Sequence, residues 1–206
     1  MKIYNLIILD ESGSMNHIKQ AAIDSVNETL QSIRGAQKEN ENQEHFVTFV
    51  SFNIRVNTLF DCVSADSVND LKDNDYNPAA LTALYDAMGM SLTTLRERVK
   101  EDDKVLVTIV TDGMENASKE YSGVAIKALV DELKARGWIF AYMGANHDVE
   151  AAAAHISITN VMHFEASIHG TDEMSKKHKY AREGLYKRMS ESSFSAEKEN
   201  LDFFKE

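Results

Sequence analysis

The feature that most constrains this chain is an alternation of short apolar runs with stretches of helical hydrophobic period. Ile3 to Leu9, Lys104 to Thr111 and Trp138 to Met143 are runs of Ile, Val, Leu and aromatic residues of strand length. Near-continuous apolarity means burial on both faces, the condition of a central strand in a parallel sheet. Among these runs, Ile18, Ala22, Val26, Leu30 and Ile33 recur at helical spacing. So do Leu84, Met88, Leu92, Leu95 and Val99, and then Ala125, Leu129 and Leu133 ahead of a helix-stopping Gly137. The alternation predicts an α/β fold: a Rossmann-like, doubly wound, mostly parallel central sheet with helices on both faces. Only Asn53 and Ile54 separate the strand-like His45 to Phe52 from Arg55 to Phe60, which predicts a hairpin and one antiparallel edge strand.

The remaining segments are assigned by their lack of strong pattern. Gly35 to Glu44 reads as a polar loop, and Asp61 to Ala80, with its scattered Asp, Asn and Ser and the only proline, Pro78, as irregular chain. Val149 to His155 reads as a short helix and Asn160 to Phe164 as a short strand. At 206 residues the chain suits one well-filled core. Residues 1–168 form the α/β domain of this reading, and 169–206 a charged C-terminal helix and tail. Ala181, Leu185 and Met189 make a weak apolar stripe, while Ser190 to Glu206 reads as an untethered tail in which Leu201, Phe203 and Phe204 are the residues able to dock.

Bulk properties narrow the setting. A single cysteine, Cys62, excludes an internal disulfide and suits a reducing compartment. The first apolar run is interrupted by Asn5 and ended by Asp10-Glu11, too short for a secretory signal, and no segment approaches ~20 consecutive apolar residues. A cytoplasmic protein with no membrane partner is expected. The formal charge of −11 argues against a nucleic-acid backbone or an anionic lipid surface as main partner.

In open parallel sheets ligands sit beyond the carboxyl ends of the strands. Asp10-Glu11-Ser12-Gly13-Ser14 follows the first strand, Thr111-Asp112-Gly113 the Lys104 strand, and Ala145-Asn146-His147-Asp148 the Trp138 strand; Thr82 opens its helix. Two carboxylates and three hydroxyls thus converge without a Lys or Arg among them, a set that a hard, oxygen-coordinated cation neutralises. The competing reading is local: Asp10, Ser12, Ser14 and Thr82 are residue types that cap helices and close turns. Glu11 reads as a rim charge pointing away, Asp86 as a neighbour of the site or solvent-facing, and His147 as a solvated loop histidine rather than a ligand. Cys62 reads as a small packed residue.

Asp10-Glu11-Ser12-Gly13-Ser14, Thr82 within Leu81-Thr82-Ala83-Leu84-Tyr85-Asp86-Ala87, and Asp112 within Val110-Thr111-Asp112-Gly113 together resemble the metal-ion-dependent adhesion site of von Willebrand factor type A domains. The resemblance spans about residues 3 to 165 and holds all three motif parts in the family's order. It implies a Rossmann-like sheet and a divalent metal at Asp10, Ser12, Ser14, Thr82 and Asp112: Mg2+ in most members, with Mn2+ or Ca2+ as alternatives. It also implies a partner protein whose Asp or Glu carboxylate completes the coordination. Many members place Gly just before the threonine, where this chain has Ala80-Leu81.

The expectation is therefore a metal-dependent protein-binding module and not an enzyme. The alternative is a magnesium-dependent hydrolase or phosphotransferase on the same kind of sheet. Against it, Ser12 stands where haloacid dehalogenase-like phosphatases place a second Asp, and no phosphate-cradling Gly-rich loop, Gly-x-Ser-x-Gly elbow or zinc-hydrolase histidine spacing occurs. A third reading, a domain that kept the fold and lost its metal, sits poorly with five intact oxygen side chains.

Overall fold

The computed structural model describes residues 1–205. Its strands are β1 (Lys2–Asp10), β2 (Glu44–Phe52), β3 (Val56–Ser64), β4 (Lys104–Thr111), β5 (Trp138–Gly144) and β6 (Val161–His163). They form one sheet in the order β3-β2-β1-β4-β5-β6, every neighbouring pair parallel except β2 with β3. β1 lies between β2 and β4, so the winding direction reverses beside it. The carboxyl ends of β1 and β4 are therefore where open sheets of this kind place their ligand sites.

The helices are α1 (Lys19–Glu39), α2 (Leu84–Arg96), α3 (Gly123–Ala135), α4 (Val149–His155), α5 (Ile168–Arg188) and α6 (Ala196–Asp202). Side chains of a strand alternate between faces. Ile3, Ile7 and Leu9 of β1 thus join a core with α1 and α5, while Tyr4, Leu6 and Ile8 join the opposite core with α2, α3 and α4. α3 stops where Gly137 takes φ +85, a left-handed conformation that glycine adopts without a Cβ clash.

Three expectations are corrected. The segment from Gly35 does not leave the helix: α1 continues to Glu39, because Ala36 extends the buried stripe of Leu30 and Ile33, while Gly35 faces open space. β3 runs past Phe60 to Ser64, with bulges against β2 and Cys62 in a left-handed conformation at φ 52. The stretch that follows contains two short 3-10 turns, and its Tyr76 is fully buried.

The third correction concerns the tail, which is docked. Phe203 is 1% exposed in the α1–α5 core. β6 pairs only with Tyr142–Gly144, leaving the first half of β5 without a strand on that side. Side-chain amides take its place: Asn200 accepts from Phe140 N at 3.1 Å and donates to Trp138 O at 2.8 Å. Asn160 donates to Phe140 O and Glu199 O and accepts from Phe203 N. Such amide-to-backbone bonds have no periodic signature, so a polar tail conceals them. No helix among the described residues is long and apolar enough to cross a membrane.

Candidate metal centre

The register of the sheet builds the centre. Leu9 of β1 lies opposite Val110 of β4, so the next residues, Asp10 and Thr111, end the two strands side by side. The Thr111 hydroxyl donates to Asp10 Oδ2 at 2.6 Å, and Ser12 N donates to Asp10 Oδ1 at 2.7 Å. The turn leaving β1 then brings Ser12 Oγ within 3.1 Å of Ser14 Oγ, and the Ser14 hydroxyl donates to Asp112 Oδ1 at 2.6 Å.

Thr82 arrives from a separate loop tied down on both sides. Gly13 N donates to Ala80 O at 3.0 Å. Asn116 clamps Thr82 itself, accepting from Thr82 N through its side chain and donating its own N–H to Thr82 O, each at 3.0 Å. The helix that follows begins at Leu84 and has no side-chain cap, so capping does not occupy the Thr82 hydroxyl. A Cβ built on Gly113 would lie 3.4 Å from Thr82 Oγ1 and 3.8 Å from Ser14 Oγ, so a methyl group there would enter the space among these hydroxyls. Asp10, Ser12, Thr82 and Asp112 are buried; Ser14 lies at the surface.

The electrostatics are those of a cluster short of positive charge. Burial pushes the Asp10 carboxyl up to about 6, against the bonds from Thr111 and Ser12, and the nearby Asp112 charge adds to the rise. Among the described residues neither Asp10 nor Asp112 has a Lys, Arg or His within ion-pair distance. Asp112 Oδ2 is buried with no hydrogen-bond partner, an arrangement that costs about 1–3 kcal/mol or more for a charged group. No group of three or more His, Cys, Asp or Glu gathers among the described residues. Two carboxylates with three hydroxyls instead make the donor set of a hard cation, and the residues fit one.

Several neighbours act differently from their sequence readings. Glu11 is not a rim charge pointing away: its carboxylate accepts from Ser51 Oγ at 2.6 Å and from Asn77 N at 2.5 Å, tying the end of β2 to the loop before Thr82. Asp86 accepts from the backbone N–H groups of Lys119, Glu120 and Tyr121, holding the loop after β4 against α2. His147 is half-buried between Ala145 O and Tyr142 OH, and Asp148 caps α4. Sequence reasoning missed Tyr76, whose hydroxyl donates to Asp10 O at 2.5 Å, and Asn116. Both act across long sequence separations. Glu115, also missed, folds its own loop by accepting from Ala117 N and Ser118 N, a local turn habit of acidic residues.

No protein-family model matches the chain, and no curated protein matches it. Solved structures do match. A von Willebrand factor type A protein from Catenulispora acidiphila superposes with a TM-score of 0.63 at 12% identity, over 89% of this chain and 43% of that one. Proximal thread matrix protein 1 from the mussel byssus gives 0.61 at 15% identity, over 85% and 44%, and is also known with a zinc-occupied MIDAS motif. Manganese-loaded TRAP protein of Plasmodium vivax gives 0.56 at 15% identity, over 85% and 71%. The chain thus spans less than half the length of the first two of these proteins. The parallel order β2-β1-β4-β5-β6, its one antiparallel edge and these superpositions together show that the chain has the von Willebrand factor type A fold.

Proposed function

We propose that this chain is a protein-binding module that acts through a divalent cation, magnesium in the first place, held by Ser12, Ser14, Thr82 and Asp112 with Asp10 behind them. The single observation that carries the reading is Asp112 Oδ2, buried and without a partner in a cluster that has two carboxylates and no neighbouring cation. Both Asp10 oxygens already accept hydrogen bonds, which leaves the hydroxyls and Asp112 as the freer donors. The Ser14 hydroxyl gives its proton to Asp112 Oδ1, so its lone pairs remain available. A bound cation supplies an electrophilic position that an Asp or Glu carboxylate of a partner protein completes. The known metal-loaded proteins of this fold, with zinc and with manganese, support the choice of a divalent ion. The lone, half-buried Cys62 supports a reducing, cytoplasmic setting.

The test is calorimetric titration with MgCl2 and with MnCl2. Wild type binds, and Asp112→Ala, checked for an unchanged circular dichroism spectrum, does not; equal binding by the variant removes Asp112 from the centre. Affinity capture with and without chelator then reads partner binding. Turnover of phosphate esters by the magnesium-loaded protein would overturn this reading in favour of the hydrolase or phosphotransferase.

A further inference from the structure

A second charged feature lies along the C-terminal half of α5, with none of the five candidate site residues in its lining. α5 begins after the carboxyl end of β6 and runs back along the sheet. Near its end, Tyr186 donates to Asn5 at 2.6 Å and meets the ring of His45, at the start of β1 and β2. Beside this half of α5 is a groove of about 760 Å³, bordered across from the helix by Met162, Phe203, Phe204 and Lys205. Five of its lining residues are cations (Lys176, Lys177, Lys187, Arg188 and Lys205) and only Glu183 is acidic, in a chain of formal charge −11.

The cations are not equivalent. Lys176 pairs with Asp172, Lys205 with Asp202, and Arg188 is fixed by the buried Glu199 through two bonds of 2.8 Å. Lys177 and Lys187 are exposed and have no acidic partner among the described residues. They stand ten positions apart on α5, about 15 Å along the helix. Between them the floor is Ala181 and Gly184, and a Cβ on Gly184 would touch only the Arg188 guanidinium. A glycine inside a helix costs about 1 kcal/mol relative to alanine. Here it keeps the floor low between the two free lysines. Tyr180, 72% exposed, and the half-buried Phe204 offer apolar walls.

We propose that this groove binds an extended acidic segment of a partner protein, separately from the metal centre. Carboxylates four to five residues apart span about 15 Å in an extended chain, the distance between Lys177 and Lys187. Neighbouring apolar side chains lie against Tyr180 and Phe204. A nucleic acid fits less well, because its phosphates call for a continuous basic stripe, whereas this groove offers two unpaired lysines separated by about 15 Å of apolar floor.

The probe is fluorescein-labelled octaglutamate, with octaglutamine as control, followed by fluorescence anisotropy in EDTA so that the metal centre takes no part. Wild type and Asp112→Ala bind octaglutamate alike, more weakly as salt rises from about 50 to about 300 mM. The exposed double variant Lys177→Glu/Lys187→Glu, with unchanged circular dichroism, loses about tenfold or more in affinity. Absence of binding by wild type, or equal binding by the double variant, overturns the proposal. A single-stranded oligonucleotide that displaces the peptide at lower concentration than unlabelled octaglutamate overturns it in favour of a nucleic-acid surface.

Discussion

Thr82 reaches the candidate metal centre through a strained residue two positions earlier: Ala80 takes φ 64, and its carbonyl accepts from Gly13 N at 3.0 Å. A left-handed alanine costs about 1–2 kcal/mol, and glycine returns part of that gain through its freer unfolded chain. Ala80→Gly is therefore expected to raise stability by about 0.5–1 kcal/mol in urea denaturation; an unchanged midpoint would show that the loop carries no such strain. Gly113 presents the opposite case. Its substitution by alanine places a methyl group 3.4 Å from Thr82 Oγ1, in ordinary contact with the fold but inside the space among the hydroxyls. Gly113→Ala should keep its melting temperature in chelator and lose about tenfold in magnesium affinity, about 1.4 kcal/mol. Away from the centre, buried His45 is held down to about 4 by desolvation, below its ordinary 6.5. The folded state thus resists protonation, and this stability is fully present above pH 6.5 and lost as pH falls through about 4. The gap amounts to about 3 kcal/mol. Asp10, raised by burial, acts with opposite sign: its contribution is present below its ordinary value and lost as pH rises through about 6. The His45 effect is therefore read as a difference, with His45→Gln showing a shallower loss of stability than wild type between pH 7 and 4.

At the scale of elements, the two cores are served by different means. α2 and α3 bury apolar stripes of helical period against the sheet. α6 has only seven residues, and what fastens it is Asn200 at the uncovered half of β5, with Phe203 inserted behind it. Asn200→Ala leaves Phe140 N and Trp138 O unpaired in a buried setting, which predicts a loss of about 2–4 kcal/mol in denaturant unfolding. If the loss is below about 0.5 kcal/mol, the amide does not hold the tail. The periodic elements were legible beforehand in their places: the strands at Ile3, Lys104 and Trp138, the helix opening at Leu84, and α4, whose bounds agree. α3 was placed, but its buried stripe is Ile126, Val130 and Leu133, with Ala125 exposed, and α2 stops at Arg96, short of Val99. The docked tail and the far end of β3 were not. Their order comes from side-chain amides and bulges, which leave no hydrophobic period to read.

At the scale of the whole molecule, the sheet acts as a rigid frame that sets loops from distant parts of the chain around one point. A cation that binds only the folded frame stabilises it by mass action, about 2.7 kcal/mol at a concentration 100 times Kd. The melting temperature of wild type should rise accordingly in magnesium and fall back in EDTA, while Asp112→Ala shows no shift; an equal rise in the variant would place the ion elsewhere. The amino-acid sequence by itself determined the class of fold, because burial on both faces of a strand and on one stripe of a helix writes a period into the residues. It also marked Asp10, Ser12, Ser14 and Asp112, since oxygen side chains after strand ends stand out in a one-dimensional reading, and Thr82, which the three-part motif resemblance joins to them. Only the tertiary structure decided that Leu9 lies opposite Val110, that Asn116 and Tyr76 hold the centre in place, and that the lysines of α5 border a groove. Those facts depend on register and on contacts between residues far apart in the chain, and no local pattern records which distant neighbour a side chain will meet.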